Sequence, residues 1–569
     1  MESPATATSG SLPASHSSDL LDRIGALLDR DLDAAGMDEF LADVDDVTRD
    51  VGEAYAALSR AKDEDTADES AKRAYLEFVT QVYPQIAPLA DAVSRKMLAV
   101  ADYRPPPELR TQWAAMKDDV DLYVEANVEL QAEEAAHGQA YGEITGALRI
   151  DLDGRQLTYP EAVALLEETD RDLRERVFRA IDAGRAPDRP KLDELFEKLL
   201  ALRQRIAKNA GAATYRDHAW RSLHRHEYTP EDTLTMHESV EAEVVPRLRE
   251  LVARRAERLG LERLRPWDLD VDVSSRPPLK PFETAAGLVS GTKRMLAALD
   301  PELAQRFELL EGGWMNLEPS PNKVPGLGYQ SYFPRSRRPY IYYSVVGTND
   351  DLLTMIHEAG HAFHTILSQE AWPLTSHMSQ RAEMNELASQ GLELLTLPYL
   401  TKERGGFYDE ADAKRSQASL LLRALQLLVS VSRGDALQHW LYDRPVDAAP
   451  PTAAEIDAKW VEIWRRFDLG VDYTGLEESL AKGWHIVHLY LLPFYFIEYG
   501  IAYLGALQLW ERVLEDPAEA LAGYKRALAL GATRPLDELY RAAGIEFTFD
   551  RGTIARLTAL VLRELGDEL

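Results

Sequence analysis

The sequence of 569 residues predicts a mostly α-helical protein that contains a small mixed β-sheet. Apolar residues recur at helical spacing, with charged residues between them, through 19–98, 109–144, 410–442 and 453–467. Strand signals are confined to two short stretches, near 148–159 and 339–346. The hydrophobic content of 45% is typical of a globular protein with a substantial core.

The chain divides by composition into a short tail and two larger parts. Residues 1–18 are rich in Ser, Ala, Thr and Pro and lack the basic and apolar regions of a signal peptide, so they predict a disordered tail. Residues 19–200 predict an N-terminal helical lobe with a β-hairpin near 148–159, where Asp153-Gly154 provides a two-residue turn. Residues 201–569 form the second part and contain the candidate site.

Charge and composition exclude several classes of function. The net charge of −31 disfavours binding to nucleic acid or to an anionic membrane. No run of 18 or more uncharged apolar residues predicts a membrane span, and the expected compartment is the cytoplasm. The absence of cysteine excludes disulfides and thiolate metal sites, so any metal ligands must be histidines and carboxylates.

A candidate metal site lies in the sequence His-Glu-Ala-Gly-His at 357–361. On a helix His357 and His361 lie one turn apart on the same face, and two imidazoles at this spacing can bind one ion, usually zinc. Glu358 lies at the flank of that face, close enough to hold an activated water. The surrounding helix is apolar around nearly its whole circumference, which indicates that it is buried. Burying the two histidines and the glutamate without a metal would cost several kcal/mol.

A catalytic zinc normally has a third protein ligand, which we expect from the helix predicted at 381–397. A histidine six residues after His361 would indicate a metzincin, but that position is Leu367. The following helix instead offers Glu383, Glu386 and Glu393, of which the last two share a face. Spacing alone leaves the choice among these carboxylates open.

The strand predicted at 339–346 runs directly into the metal helix, which begins at the capping box of Thr348 and Asp351. A peptide can bind along the edge of such a sheet as an extra strand. The strand carries tyrosines on both faces, which favours a half-open cleft over a fully buried strand.

A second group of polar side chains lies in the apolar stretch 483–500. His488 and the tyrosines of this stretch can donate hydrogen bonds to an oxyanion when packing fixes their positions. A helix of core aromatics is the alternative, but it explains the histidine and the tyrosines less well.

These motifs resemble those of the thimet oligopeptidase and oligoendopeptidase F family of zinc peptidases. The resemblance is carried by His357-Glu358-x-x-His361-Ala362-Phe363-His364, by Asn385-Glu386-Leu387-Ala388-Ser389-Gln390 with Glu393, and by the H-x-Y-x-x-P-F-Y type of motif from His488 to Tyr495. It implies that His357, His361 and Glu386 bind one Zn²⁺ per chain and that Glu358 is the general base. Glu393 is expected to orient a zinc-binding histidine.

The resemblance also implies that His488 and Tyr495 act on the substrate and that Tyr490 and Tyr499 contact it. Ile497 stands where an aromatic residue is common in the family, so the identity of the oxyanion donor stays open. The implied fold has two helical lobes around a deep substrate channel, with residues 201–569 as the metallopeptidase region.

Three functions follow from these expectations. The first is an endopeptidase that acts on short peptides, because a channel excludes folded proteins; it would be a monomer or a weak homo-oligomer. The second is a C-terminal exopeptidase with the same zinc chemistry, which requires a cationic group for the substrate carboxylate. The third is an inactive helical protein that binds peptides.

Overall fold

The computed structural model describes residues 14–320, 322–323, 327–378, 381–566 and 568. Within these residues the chain is mostly helical and has strands only in one hairpin and one three-stranded sheet. This confirms the predicted fold class. None of the described helices is both long enough and apolar enough to cross a membrane.

The N-terminal helices are α1 (Ala14–Asp29), α2 (Met37–Glu64), α3 (Glu69–Glu77), α4 (Tyr83–Leu98), α5 (Arg110–Leu122) and α6 (Glu125–Gly146). Because α1 begins at Ala14, the prediction of a disordered tail is wrong for residues 14–18. Residues 14–18 contain no glycine or proline that would break a helix. The buried side chains of Leu20 and Ile24 hold α1 against its neighbours. The rest of the predicted tail lies outside the described residues.

The predicted hairpin is present as β1 (Ile150–Leu152) and β2 (Arg155–Leu157), paired antiparallel. Asp153 and Gly154 form its turn with φ of +54° and +83°, the left-handed backbone that a two-residue turn of this type requires. Ile150 and Leu157 are buried against the helices that follow, so the hairpin packs by one face.

The helices of the middle region are α7 (Tyr159–Ala164), α8 (Arg171–Arg185), α9 (Arg189–Asn209), α10 (Tyr215–Ser222), α11 (Pro230–Glu243), α12 (Val245–Arg258), α13 (Ala285–Leu299) and α14 (Pro301–Phe307). The predicted boundary between residues 200 and 201 falls inside α9, so the chain does not divide at that point. Leu199 and Leu200 pack in the large core that also contains the candidate metal helix. The division into two parts itself stays a prediction.

The three-stranded sheet contains β3 (Met315–Asn316), β4 (Tyr329–Phe333) and β5 (Arg338–Tyr342), in the order β3-β5-β4. β5 is the central strand, parallel to β3 and antiparallel to β4. Its residues Tyr340 and Tyr342 are completely buried, and the Tyr340 hydroxyl donates 2.7 Å to Glu64 at the end of α2. The expectation of a half-open strand at 339–346 is therefore wrong, because β5 ends at Tyr342 and both its edges are paired.

The remaining helices are α15 (Asn349–Ala371), α16 (Ala382–Thr396), α17 (Glu410–Tyr442), α18 (Ala453–Arg466), α19 (Glu477–Ala481), α20 (Val487–Leu491), α21 (Phe496–Glu515), α22 (Pro517–Ala529), α23 (Leu536–Ala542) and α24 (Arg551–Leu565). The capping box that opens α15 forms as predicted, since the Asp351 carboxylate accepts from Thr348 N at 2.9 Å. α15, α16 and α21 pack together in the large core.

Two cavities lie where the N-terminal helices meet α20. One, of about 390 Å³, is lined by His488, and its neighbour, of about 350 Å³, lies between α2, α6 and α20. The two cavities share Tyr141, Leu327 and Val487 on their walls. We call the first of them the His488 cavity.

Candidate active site

The crossing of α15 and α16 brings the candidate ligands together. Gly360 lies at the crossing, where an added Cβ would be 2.5 Å from both the Ala388 carbonyl oxygen and the Ser389 Cα. A side chain at this position would push the two helices apart. Glycine between the two histidines therefore permits the close approach that brings Glu386 of α16 to His357 and His361 of α15.

One ligand atom from each of His357, His361 and Glu386 lies within 4.8 Å of the other two. Glu386 Oε2 is 3.5 Å from His357 Nε2 and 3.9 Å from His361 Nε2. The two imidazole rings are nearly perpendicular, with an interplanar angle of 85°, so both Nε2 atoms can point at one centre. Two imidazoles and a carboxylate are a donor set that suits zinc and leave a fourth position for water or substrate.

The opposite side of each candidate ligand is held by another hydrogen bond. His357 Nδ1 is 2.6 Å from Glu393 Oε1, and His361 bonds to the backbone of Asn385. The Tyr495 hydroxyl donates to Glu386 Oε1 at 2.6 Å. These partners fix the orientation of both rings and of the carboxylate, as outer partners do in established metal sites. The geometry therefore agrees with the predicted role of Glu393.

The charges of the site also fit a bound cation. Burial opposes protonation of His357, but its hydrogen bond to Glu393 and the nearby carboxylates raise its pKa to about 9. Burial lowers the pKa of His361 well below its usual range, with further lowering from the neighbouring His357. Burial raises the pKa of Glu386. A divalent cation at the centre would compensate the carboxylates that this pocket holds out of water.

Glu358 lies beside this centre and is only 4% exposed. Among the described residues no hydrogen-bond partner is present for its Oε2 atom. Burial raises its pKa to about 7, and the charges of Glu386 and Glu393 act in the same direction. Above it lies exposed Gly328, where an added Cβ would be 3.8 Å from Glu358 Oε1. A buried carboxyl group that titrates near neutral pH is suited to accept and return a proton.

Arg423 of α17 is a functional candidate that sequence reasoning missed. Its Nη2 donates to Glu393 Oε2 at 2.6 Å, and its Nη1 donates to Asp350 Oδ1 at 2.7 Å. Burial alone would raise the pKa of Glu393. The charge of Arg423 and the hydrogen bond with His357 outweigh burial and lower this pKa. Arg423 therefore holds in place the carboxylate that orients His357. No local sequence pattern could have shown this, because the two residues lie on different helices.

We expect Arg423→Met to weaken zinc binding by about 10- to 100-fold, the range for losing an outer partner of a metal ligand. The cause is loss of the contact that fixes Glu393 and, through it, the ring of His357. Competition titration against a chelating dye measures the affinity. Asp350→Asn is the matched control, because it weakens only the other contact of Arg423; equal affinities for all three proteins would contradict this role.

The segment 483–500 is not one helix but two, α20 and α21, joined by a turn at 492–495. Phe494 in this turn has φ of +63°, a left-handed conformation that is strained for a bulky residue. The surrounding residues hold it there, since its N–H donates to Gln438 Oε1 and its carbonyl accepts from Arg225 Nη2 at 2.6 Å. The turn directs Tyr495 towards Glu386 and sets the start of α21.

The structure separates the four predicted residues of this segment. Tyr495 contacts Glu386, whereas His488 Nε2 lies 3.3 Å from the Tyr499 hydroxyl. Burial lowers the pKa of His488 to about 4, so the ring is neutral at pH 7. Burial and the charges of Glu386 and Glu358 raise the pKa of Tyr499, which keeps its proton.

The position of Tyr490 contradicts the expectation that it contacts substrate. Its side chain is completely buried, stacked against Trp484, and its hydroxyl donates 3.0 Å to the Leu192 carbonyl. The expected contact of Tyr490 with substrate is therefore not supported, because the hydroxyl that would make it is occupied in the core.

Glu383, the other carboxylate near the start of α16, does not join the metal group. It is 2% exposed, and the Tyr228 hydroxyl donates to its Oε1 at 2.7 Å. Its Oε1 lies 4.0 Å from Arg225 Nε, and its Oε2 lies 3.9 Å from Arg381 Nε. Of the three candidate glutamates, Glu386 is the one that groups with both histidines, whereas Glu393 contacts only the far side of His357.

A mostly helical fold around a centre of two histidines and one glutamate is typical of the zinc metallopeptidases that take their third ligand from a following helix. The chain belongs to peptidase family M3, because the model of that family matches residues 164–558.

The chain is also similar to individual members of the family. The oligoendopeptidase F homolog of Mycoplasma pneumoniae is 24% identical over 313 residues, which cover 51% of this chain and 48% of that protein. Oligopeptidase PepF of Bacillus subtilis is 21% identical over 420 residues, covering 70% of this chain and 58% of that protein. The chain thus spans about half the length of the curated relatives it matches.

Solved structures show the same fold over nearly the whole chain. PZ peptidase A with an inhibitor superimposes with a TM-score of 0.90 at 24% identity, covering 97% of this chain and 98% of that one. The oligoendopeptidase-F from Enterococcus faecium has a TM-score of 0.65 at 17% identity, covering 97% of both chains. The predicted resemblance and the predicted fold are both confirmed.

Proposed function

We propose that this protein is a zinc-dependent oligoendopeptidase that hydrolyses internal bonds of short, unstructured peptides. The observation that carries the proposal is the convergence of His357, His361 and Glu386 within 4.8 Å beside the buried, unpartnered carboxyl oxygen of Glu358. Membership of peptidase family M3 supports the reaction class. One zinc ion per chain would be held by the three converging side chains.

When bound there, zinc supplies a Lewis acid that activates water and polarises a carbonyl group. Glu358 takes the proton from the attacking water and transfers it to the leaving amine. Its pKa of about 7 suits both transfers near neutral pH. Glu393 and the backbone of Asn385 hold the two imidazoles in fixed orientations throughout.

We assign the oxyanion donor to Tyr499, with His488 as the acceptor that orients its hydroxyl before substrate binds. The hydroxyl of Tyr495 is already bonded to Glu386, so its role is to orient that ligand rather than to contact substrate. Tyr499 is half-exposed, and the partner of its hydroxyl is a neutral imidazole 3.3 Å away. A substrate oxyanion would compete well for this proton, because a charged acceptor makes a stronger hydrogen bond than a neutral one.

We expect Tyr499→Phe to lower kcat by about 10²- to 10³-fold, the usual effect of removing one oxyanion donor, while zinc content stays unchanged. Steady-state kinetics and metal analysis of the same preparation measure both effects. Tyr490→Phe is the matched control, since it removes a hydroxyl bonded to the Leu192 carbonyl in the core. Full activity of Tyr499→Phe would reassign the donor.

The small size of the two cavities between the N-terminal helices and α20 supports the restriction to short peptides. An extended peptide can reach the site along β4, the edge strand that begins directly after Gly328. β5 cannot serve as this edge because it is paired on both sides. A folded protein would have to unfold locally to present an extended segment to this strand edge.

The proposal is tested with a ladder of peptides of increasing length, with an unfolded protein as its longest member, and mass spectrometry of the products. Internal cuts limited to the short peptides would support an oligoendopeptidase. Stepwise removal of C-terminal residues would favour the exopeptidase. Absence of cleavage by the zinc-loaded protein would reject both and leave the inactive peptide-binding protein.

A further inference from the structure

The His488 cavity has a mainly apolar wall and one exposed cation. Tyr141, Ile144, Leu148, Leu192 and Phe496 supply most of the wall. Its volume of about 390 Å³ is within the range of pockets that hold small ligands. A cavity of this size and lining suits a large apolar side chain rather than a polar one.

The cavity adjoins the proposed catalytic groups. His488 stacks on Phe496 with ring centroids 4.7 Å apart, and its Nε2 faces the Tyr499 hydroxyl. Leu327 lines the other side of the cavity and directly precedes Gly328, which lies over Glu358. A peptide bound across the site can therefore place a residue in this cavity.

Arg185, at the end of α8, lines the same cavity and is exposed. Among the described residues it has no carboxylate within ion-pair distance, and its Nη2 makes only a long bond of 3.4 Å to the His485 carbonyl. The other ionisable groups of the wall have partners: Asp188 pairs with Lys191 at 2.7 Å, and His485, whose pKa burial lowers, lies 2.8 Å from Asp193. The cavity thus presents one guanidinium that is available to an anion.

We propose that the His488 cavity binds the apolar C-terminal residue of a short peptide substrate and that Arg185 binds its terminal carboxylate. The inference rests on the proposed peptidase function and adds a substrate class to it: short peptides with a free C-terminus and a large apolar last residue. Guanidinium pairs well with a carboxylate because it donates two parallel hydrogen bonds.

The consequence for the reaction is that the position of the cut is set from the C-terminus of the peptide. Because the cavity adjoins His488 and Tyr499, a peptide whose end lies at Arg185 presents a bond close to its C-terminus to the metal centre. The length of the peptide on the N-terminal side of that bond does not change this contact. Arg185 is thus the candidate for the cationic group that sequence analysis could not select.

Binding is measured by calorimetry on zinc-loaded Glu358→Gln protein, so that peptides stay intact. The probes are one short peptide with C-terminal Phe, prepared as free acid and as amide, and an amidated version with C-terminal Glu. We expect the acid to bind about 10- to 100-fold more tightly than the amide, as for loss of a charged hydrogen bond. Arg185→Gln should abolish this difference.

Arg176→Gln is the matched control. Arg176 lies on the same helix, is 49% exposed and faces Asp153 at 3.5 Å, away from the cavity lining. It should keep the full preference for the acid. Equal binding of acid and amide to the protein with Arg185 would overturn the proposal. Tight, Arg185-dependent binding of the amidated Glu peptide would overturn the assignment to the terminal carboxylate and favour an acidic side chain.

A second variant tests the apolar part of the proposal. Ile144→Trp fills the cavity from α6, so peptides ending in Phe should lose about tenfold in affinity while those ending in Ala change little. An unchanged preference for Phe would place the apolar subsite elsewhere. Failure of the peptidase proposal is distinguishable, because it would leave these binding preferences intact while wild-type protein cleaves none of the peptides.

Discussion

Glu358→Gln is expected to lower kcat/KM by at least about 10²- to 10⁴-fold without loss of zinc. The amide keeps the size of the side chain but cannot accept a proton from water, and general-base catalysis is typically worth this factor. The wild-type carboxyl group is buried beside the metal ligands, and burial raises its pKa to about 7. Peptide hydrolysis and zinc content are measured on the same preparation.

Glu370→Gln provides the matched control for this prediction. Glu370 belongs to the same helix, α15, but pairs with Arg306 at 2.8 Å on the surface. Its replacement should leave both zinc content and activity close to wild type. A Glu358→Gln enzyme that cleaves at a normal rate would remove Glu358 from the base role. Loss of zinc in that variant would instead show that Glu358 contributes to binding the metal.

Local sequence patterns predicted part of the centre of the candidate site. The capping box at Thr348 fixes where α15 begins, and the four-residue spacing of His357 and His361 fixes their shared face. Glu386 could be placed on a helix but not in contact with them, because contact depends on a crossing that Gly360 permits. The resemblance to the family supplied what the spacing left open.

Long-range contacts could not be predicted from the sequence. Arg423 and Arg185 are two of many arginines, and what distinguishes them is the group or the cavity that each one faces. The separation of Tyr490 from Tyr495 depends on the left-handed turn at Phe494, which a non-glycine residue rarely adopts. A run of apolar and aromatic residues does not show where one helix ends and the next begins, so residues of the core and of the site in this stretch could not be told apart.

The burial of β5 was missed for a related reason. Alternating tyrosines indicate a strand but do not show how many neighbours it has. The tyrosines of β5 face α2, where Tyr340 bonds to Glu64, so a helix almost three hundred residues earlier covers them. An aromatic side chain with a hydroxyl group is compatible with a cleft and equally with a core that offers a hydrogen-bond acceptor.

Glu386→Ala is expected to lose zinc. Its zinc affinity should fall by more than the roughly 10- to 100-fold that removal of one outer partner causes. Two histidines alone leave the ion short of a protein ligand, and the alanine also leaves the Tyr495 hydroxyl without its acceptor. Chelator competition and metal analysis measure the loss. Peptide hydrolysis should fall with it and should not recover at moderate excess of zinc.

Glu383→Gln separates the metal ligand from its neighbour one turn earlier. Both carboxylates are buried on α16, but the one at 383 accepts from Tyr228 and faces Arg225 and Arg381. Its replacement should lower the melting temperature, since two buried guanidinium groups lose a charged partner, while zinc affinity stays at the wild-type value. The opposite pattern, with zinc lost from Glu383→Gln and kept by Glu386→Ala, would mean that α16 rotates on loading with metal. The arrangement of outer partners argues against such a rotation, because Tyr495, Glu393 and Asn385 already hold all three candidate ligands towards one centre.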